Sequence, residues 1–255
     1  MLQVIFFAII LGASISLLGK KGEIIKNFFF SLNDVFLKGL EIIMFIAPIG
    51  IFCLISKTFA TQGLDIIVEL AKYFFTVVIV LLVHMLFVYG SMVKIICKMN
   101  PFEFFSKIRE AMFFAFSTSS SSATIPVTLK NVEENLGVKK KIASFTVPLG
   151  STINMDGTAI MQGVATVFIA NIYGITLGFN DFVSIIITAT LASIGTAGVP
   201  GVGLIMLGMV LSQVGLPLEG IAIVMGVDRF LDMLRTSTNI SGDATISLVI
   251  NNSEK

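Results

Sequence analysis

The sequence predicts an all-α membrane protein in which spanning helices accompany two opposed re-entrant helical hairpins. Of the 255 residues 55% are hydrophobic and only 13% charged, whereas a soluble domain carries about a quarter. Mean hydropathy is +0.96. Several apolar runs reach the roughly 20 residues that a helix needs to cross hydrocarbon, and two others are cut in half by polar or glycine-rich stretches.

Met1 to Leu18, Val35 to Phe59 and Ile66 to Ile96 are the first three apolar runs. No basic stretch precedes the first and no small-residue cleavage site follows it, so it reads as structure and not as a signal peptide. Residues 101–136 form the first hairpin, interrupted by "STSSSSAT" at Ser117 to Thr124. Residues 181–215 form the second, interrupted by "SIGTAGVPGVG" at Ser193 to Gly203. Ile142 to Tyr173 is long enough to span, but Asn154 to Thr158, "NMDGT", disfavours an unbroken helix. Val214 to Ile250 closes the chain.

Lys and Arg mark the cytoplasmic side. Lys20, Lys21 and Lys26 follow the first run, Lys94, Lys98, Lys107 and Arg109 the third, and Lys130, Lys139, Lys140 and Lys141 the first hairpin. The linkers Thr61 to Asp65, Ile172 to Asp181 and Leu216 to Gly220 carry neither residue and belong outside. The hairpins therefore enter from opposite faces. A first helix ending inside must begin outside, which leads us to expect further sequence upstream of Met1. Cys53 and Cys97 lack metal-ligand or disulfide spacing and read as small buried side chains.

The last run concentrates charge. On a helix Asp228, Asp232, Arg235, Asn239 and Asp243 fall at roughly 0°, 40°, −20°, 20° and 60°, one narrow stripe. Thr236 joins its edge and Arg229 points elsewhere. Charge at membrane depth costs at least about 2.5–3.5 kcal/mol per residue, so the stripe must face protein, ions or water. A self-satisfied ion-pair network is one reading. Ligand binding is the other: Arg235 offers a planar fork for a carboxylate, Asp232 a partner for an ammonium, and Asp243 a hard oxygen for a small cation. Together they describe an acidic amino acid taken up with a coupling ion. The "NMDGT" break would expose carbonyls to Na⁺, with Asp156 adding a carboxylate; a packing kink is the plainer alternative. Ser119 to Ser122 supply hydroxyls and N–H groups for an anion, or a helix cap. Gly195, Gly198, Gly201 and Gly203 permit close approach and hinging, or helix packing. An intramembrane protease is disfavoured: His84, the sole histidine, lies in an apolar run and reads as a packed or interfacial residue, and no Gly-x-Ser-Gly or Gly-x-Gly-Asp pattern occurs.

"STSSSSATIPVT", "PLGSTINMDGTA", "ASIGTAGVPGVG" and "DRFLDMLRTSTNISGD", in that order, resemble the signature regions of the dicarboxylate/amino acid:cation symporters, the glutamate-transporter family. "LQVIFFAIILG" and "APIGIF" extend the likeness to the start of the chain. The resemblance implies a partial elevator-type glutamate-transporter fold, with residues 1–60 a remnant of the trimerising scaffold and 61–255 the mobile transport domain; family members carry three further helices upstream. It implies that Arg235 holds the substrate's side-chain carboxylate, Asp232 and Thr236 its amino group, and Asn239 and Ser121 its main carboxylate, with Thr158, Val199 and Gly203 completing the pocket. It implies one Na⁺ among Gly150, Asn154, Asn239 and Asp243, a second among Thr152, Met155, Ser193, Ile194 and Thr196, and a third at Asn154 and Asp156. Some members place an arginine where this chain has Ser119 or Met233.

The expected protein is thus a sodium-coupled symporter for glutamate or aspartate in the plasma (cell inner) membrane, a homotrimer when its scaffold is complete. It is no enzyme and uses no organic cofactor and no nucleic acid. The alternatives are proton coupling, a C4-dicarboxylate substrate, or a non-transporting remnant of a truncated gene.

Overall fold

A computed structural model describes residues 2–62, 66–194 and 196–254. Gly195 of the glycine-rich tip and positions 63–65 of the second linker lie outside the described residues. Every regular element among the described residues is helical. The chain divides into two compact units, Met1–Ala60 and Thr61–Lys255.

In the first unit α1 (Leu2–Leu17) leads through a 3₁₀ turn at Gly19–Gly22 into α2 (Glu23–Gln62). Gly19 takes φ +55° and Gly22 sits so close to the Ile15 carbonyl that a Cβ there would collide. Lys20 and Lys21 lie in the 3₁₀ turn, while the 40-residue α2 absorbs Lys26 and the rest of the stretch that the sequence suggests as a linker: Gly22 is its last strong breaker, and the residues that follow tolerate helix. Cys53 is exposed, not buried as expected, and its neighbours Phe45, Ile49 and Phe52 on α2 are exposed too. An apolar helix face needs no burial in protein where the surroundings are themselves apolar.

The second unit is built around one long rod, α11 (Ile221–Ser253). Packed against it are α3 (Ile66–Val83) and α4 (Gly90–Ile95), joined by a π-helical segment at His84–Tyr89. The span Ile66–Ile95 is the one helix among the described residues that is long and apolar enough, by length and composition, to cross a membrane.

The helix pair α5 (Pro101–Thr118) and α6 (Ser121–Lys130) follows. Asn100 caps α5 by accepting from Phe102 N at 2.9 Å, and Pro101 occupies the first turn, where its missing N–H costs nothing. The turn between the two helices is only Ser119 and Ser120. Ser119 ends α5 in the left-handed region (φ 53°), and the Ser120 hydroxyl caps α6 through Ala123 N at 3.1 Å. Phe104, Ile108, Val147 and Leu248 bury a common core that fixes this pair against α11 and against α7 (Lys140–Ile153).

The expected interruption of the middle run is present. After α7, Asn154 (φ −93°, ψ 80°) and Met155 (φ −120°, ψ 49°) leave the helical region before α8 (Asp156–Ile172) resumes. Gly157 allows α8 to touch α11: a Cβ would stand 2.9 Å from the Arg235 carbonyl and 3.0 Å from Asn239 Oδ1. The second pair, α9 (Phe179–Ser193) and α10 (Val202–Gln213), closes on a seam of Ile185, Ala189, Ala192 and Val210. Asp181 Oδ2 caps α9 by accepting from Gly178 N at 2.8 Å. Gly201, at φ +80°, turns the chain into α10.

Candidate functional site

The stripe on α11 faces inward. Relative exposures of 4% at Asp228, 8% at Asp232, 1% at Arg235, 3% at Asn239 and 2% at Asp243 decide the matter, while Arg229 is exposed. Arg235 Nη1 donates to Asp228 Oδ1 at 2.7 Å and Nη2 to Asp232 Oδ1 at 2.6 Å. The ion-pair reading of the stripe therefore holds for part of it, and Asp228, to which the sequence assigned no partner, is one of its anchors. Asp228, Asp232 and Asp243 are buried and Asp156 half-buried, against the single buried guanidinium of Arg235. An excess of carboxylates in a low-dielectric interior favours binding of a cation.

Asp232 also reaches across to the second helix pair, its Oδ2 accepting from Gly201 N at 3.0 Å. The two tips meet on one carbonyl: Ser120 Oγ donates to Gly198 O at 2.6 Å and Ser122 N to the same atom at 3.1 Å. Beneath that contact lies a chamber of about 20 Å³, space for about one water molecule.

Of the residues expected around a substrate, Ser121, Thr158, Val199, Gly203, Asp232, Thr236 and Asn239 all line this chamber. Arg235 stands just behind the wall, its Nη2 3.1 Å from where a Cβ on Gly203 would be. Ser119 and Gly198 line it as well. Ser119 belongs to the serine run expected to offer hydroxyls and N–H groups to an anion, whereas Gly198 was expected only to permit close approach and hinging. Ser119 Oγ is buried and has no hydrogen-bond partner among the described residues.

Below the chamber a second polar cluster continues along the stripe. Asn154 Nδ2 donates to Asp243 Oδ1 at 2.9 Å and to the Asn239 carbonyl at 3.1 Å, while Asn239 Oδ1 accepts from Gly157 N at 2.8 Å. Gly150 gives the Asp243 carboxylate its place: a Cβ there would overlap Asp243 Oδ1. Gly150, Asn154, Asn239 and Asp243 thus form a contiguous set of hard oxygen donors suited to a small cation.

The other expected ion ligands are less gathered. Met155 and Thr196 share the chamber wall. The Ser193 carbonyl accepts from Thr196 N at 3.2 Å, and Ile194 caps the end of α9. Thr152 is exposed, with its hydroxyl on the Leu149 carbonyl at 3.0 Å. At the third expected position Asp156 Oδ2 accepts from Tyr89 Oη at 2.5 Å and lies 3.0 Å from His84 Nε2. His84, expected as a packed or interfacial residue, is half-buried and also pairs with Asp156, and Tyr89 was not foreseen at all. The partners lie 72 and 67 residues apart in the chain, and no local pattern announces so distant a contact.

The chamber is lined by Asp232 and backed by Arg235, in a body whose described regular elements are all helical. Residues 1–253 match the sodium:dicarboxylate symporter family, and the chain belongs to that family. It is 41% identical over 245 residues to human excitatory amino acid transporter 1, covering 95% of this chain and 45% of that protein. It is 44% identical over 244 residues to mouse excitatory amino acid transporter 3, covering 95% and 47%, and 42% identical over 245 residues to an excitatory amino acid transporter of Caenorhabditis elegans, covering 95% and 49%. The chain spans about half the length of these curated relatives. The family is one of transporters, not enzymes, and its description makes sodium the coupling ion.

Proposed function

We propose that the chain forms the substrate- and ion-binding core of a sodium-coupled symporter for glutamate or aspartate in the plasma membrane. One observation carries the reading: a single helix lines a chamber between two helix-pair tips with Asp232, Thr236 and Asn239, backs it with Arg235, and continues into the cation-type cluster at Asp243. The names of the relatives, transporters of excitatory amino acids, agree with it.

Arg235, paired with Asp228 and Asp232 in the closed chamber, turns its guanidinium fork to the substrate's side-chain carboxylate when substrate enters. Asp232, with Thr236, takes the amino group, which favours an amino acid over a dicarboxylate lacking one. Asn239 and the serine tip around Ser121 hold the main-chain carboxylate; Thr158, Val199 and Gly203 shape the pocket. Sodium travels as a co-substrate on Gly150, Asn154, Asn239 and Asp243, on the carbonyls of Thr152, Met155, Ser193, Ile194 and Thr196, and on Asn154 and Asp156. The chamber has space for about one water molecule, so an amino acid enters only when the α9–α10 tip parts from the α5–α6 tip. That pair is the gate, α5–α6 and α9–α10 are re-entrant hairpins from opposite faces, and ion binding to the closed state ties closure to sodium. Residues 61–255 move as the transport domain of an elevator, and residues 1–60 belong to a scaffold that assembles as a trimer.

The test is calorimetric titration of L-aspartate into the full chain in lipid nanodiscs, in sodium chloride and in choline chloride. Binding should require sodium. Arg235→Lys keeps the charge beside Asp228 and Asp232 but loses the fork, and should weaken aspartate by at least about tenfold, the equivalent of one charged hydrogen bond. Aspartate binding of equal strength in both salts, or unaltered by Arg235→Lys, overturns the proposal.

A further inference from the structure

The π-helical segment between α3 and α4 has no part in the reading above. π-turns are rare, and they occur mostly as single interruptions of α-helices at functional positions. Residues five apart on an α-helix point about 140° away from each other. The i to i+5 bonding of a π-turn brings them toward one side. His84 and Tyr89 are five apart, open and close this segment, and end on the same atom. Tyr89 Oη donates to Asp156 Oδ2 at 2.5 Å, and His84 Nε2 stands 3.0 Å from it. A carboxylate only accepts, so Nε2 is the donor. The two rings brace each other edge to face, with centroids 4.8 Å apart.

The segment is also tied to the long helix. Thr238 Oγ1 contacts Met85 Sδ at 3.4 Å. Gly242 lies so close to Tyr89 Oη and Asn154 Nδ2 that a Cβ would overlap both. Tyr89 is therefore wedged where α8, α11 and the turn at Asn154 converge, and it is buried to 3%. With Oδ2 engaged twice, Asp156 Oδ1 remains, buried and with no hydrogen-bond partner among the described residues.

We propose that His84 and Tyr89 are positioning residues for sodium: by holding Asp156 Oδ2 they fix the carboxylate so that Oδ1 is presented as a ligand beside Asn154. The proposal rests on reading Asp156 and Asn154 as sodium ligands. The π-turn is the device that brings both donors to the same oxygen, and Gly242 is the space that admits the tyrosine.

The test is the midpoint of the sodium-dependent rise in thermal stability of the full chain, with choline chloride as the control salt and no amino acid present. Loss of an outer partner of an ion ligand typically weakens the ion about 10- to 100-fold. Tyr89→Phe, which keeps the ring and removes the donor, should raise the sodium midpoint by at least about tenfold while leaving aspartate affinity at saturating sodium unchanged. His84→Leu should act in the same direction, and His84→Gln, which retains a donor, should restore the midpoint. A purely structural role would lower stability equally in both salts. An unaltered sodium midpoint in Tyr89→Phe, or a wild-type chain without any sodium response, overturns the inference. Absence of aspartate binding alongside a shifted sodium midpoint instead sinks the proposed function and leaves this inference standing.

Discussion

Gly198→Ala tests the contact between the two tips. A Cβ at this position would stand 2.8 Å from Ser122 Oγ, 2.9 Å from Ser122 N and 3.0 Å from the Ser151 carbonyl. Two of those atoms are backbone, so the α9–α10 tip must withdraw. The withdrawal breaks the bonds from Ser120 Oγ and Ser122 N to the Gly198 carbonyl, at 2.6 and 3.1 Å. At about 0.5–1.5 kcal/mol net for each, closure loses about 1–3 kcal/mol, a shift of roughly 5- to 150-fold between closed and open tips. Aspartate affinity in saturating sodium chloride, measured by calorimetry, should fall by that factor if binding requires the closed tips. The sodium midpoint without amino acid should rise as well, because sodium is proposed to bind the closed tips. Wild-type aspartate affinity in Gly198→Ala would refute the idea that this carbonyl latches the chamber.

Two further outcomes are expected. Gly150→Ala forces the Asp243 carboxylate aside and should raise the sodium midpoint about tenfold or more, read by the same thermal assay. Ile108→Ala, at a fully buried position of the α5–α7 core, should cost about 2–5 kcal/mol in unfolding titrations in detergent, whereas Ile186→Ala, 65% exposed, should stay within about 0.5 kcal/mol.

What could be read from the sequence depended on whether its cause was local. The break at Asn154 was legible because the adjacent Asp156 and Gly157 disfavour unbroken helix, and the inward stripe because 3.6-residue spacing is fixed by the helix itself. The short apolar halves around the serine run and the glycine run gave the two helix pairs. The length of α2 was not legible: Lys26 signals a membrane boundary, yet lysine is a good helix former and Lys26 lies within α2, so charge and backbone part company there. The π-turn at His84–Tyr89 was invisible, since no residue type in the segment marks it and the groups it contacts, Asp156 and Thr238, lie far along the chain. The choice of Asp228 and Asp232 as joint partners of Arg235 is likewise a matter of side-chain direction, which spacing allows without dictating.

The unbroken course of α11 has a consequence for how this sequence can change. From Arg235 to Asp243 the backbone is a straight ruler of about 12 Å, at about 1.5 Å per residue. Any side chain along it can be exchanged at a local cost. Inserting or deleting a single residue between Arg235 and Asn239 would swing every later group by about 100°, carrying Asp243 away from Gly150 and Asn154 while Arg235 stayed put. In this helix, variation is open to the alphabet and closed to the count.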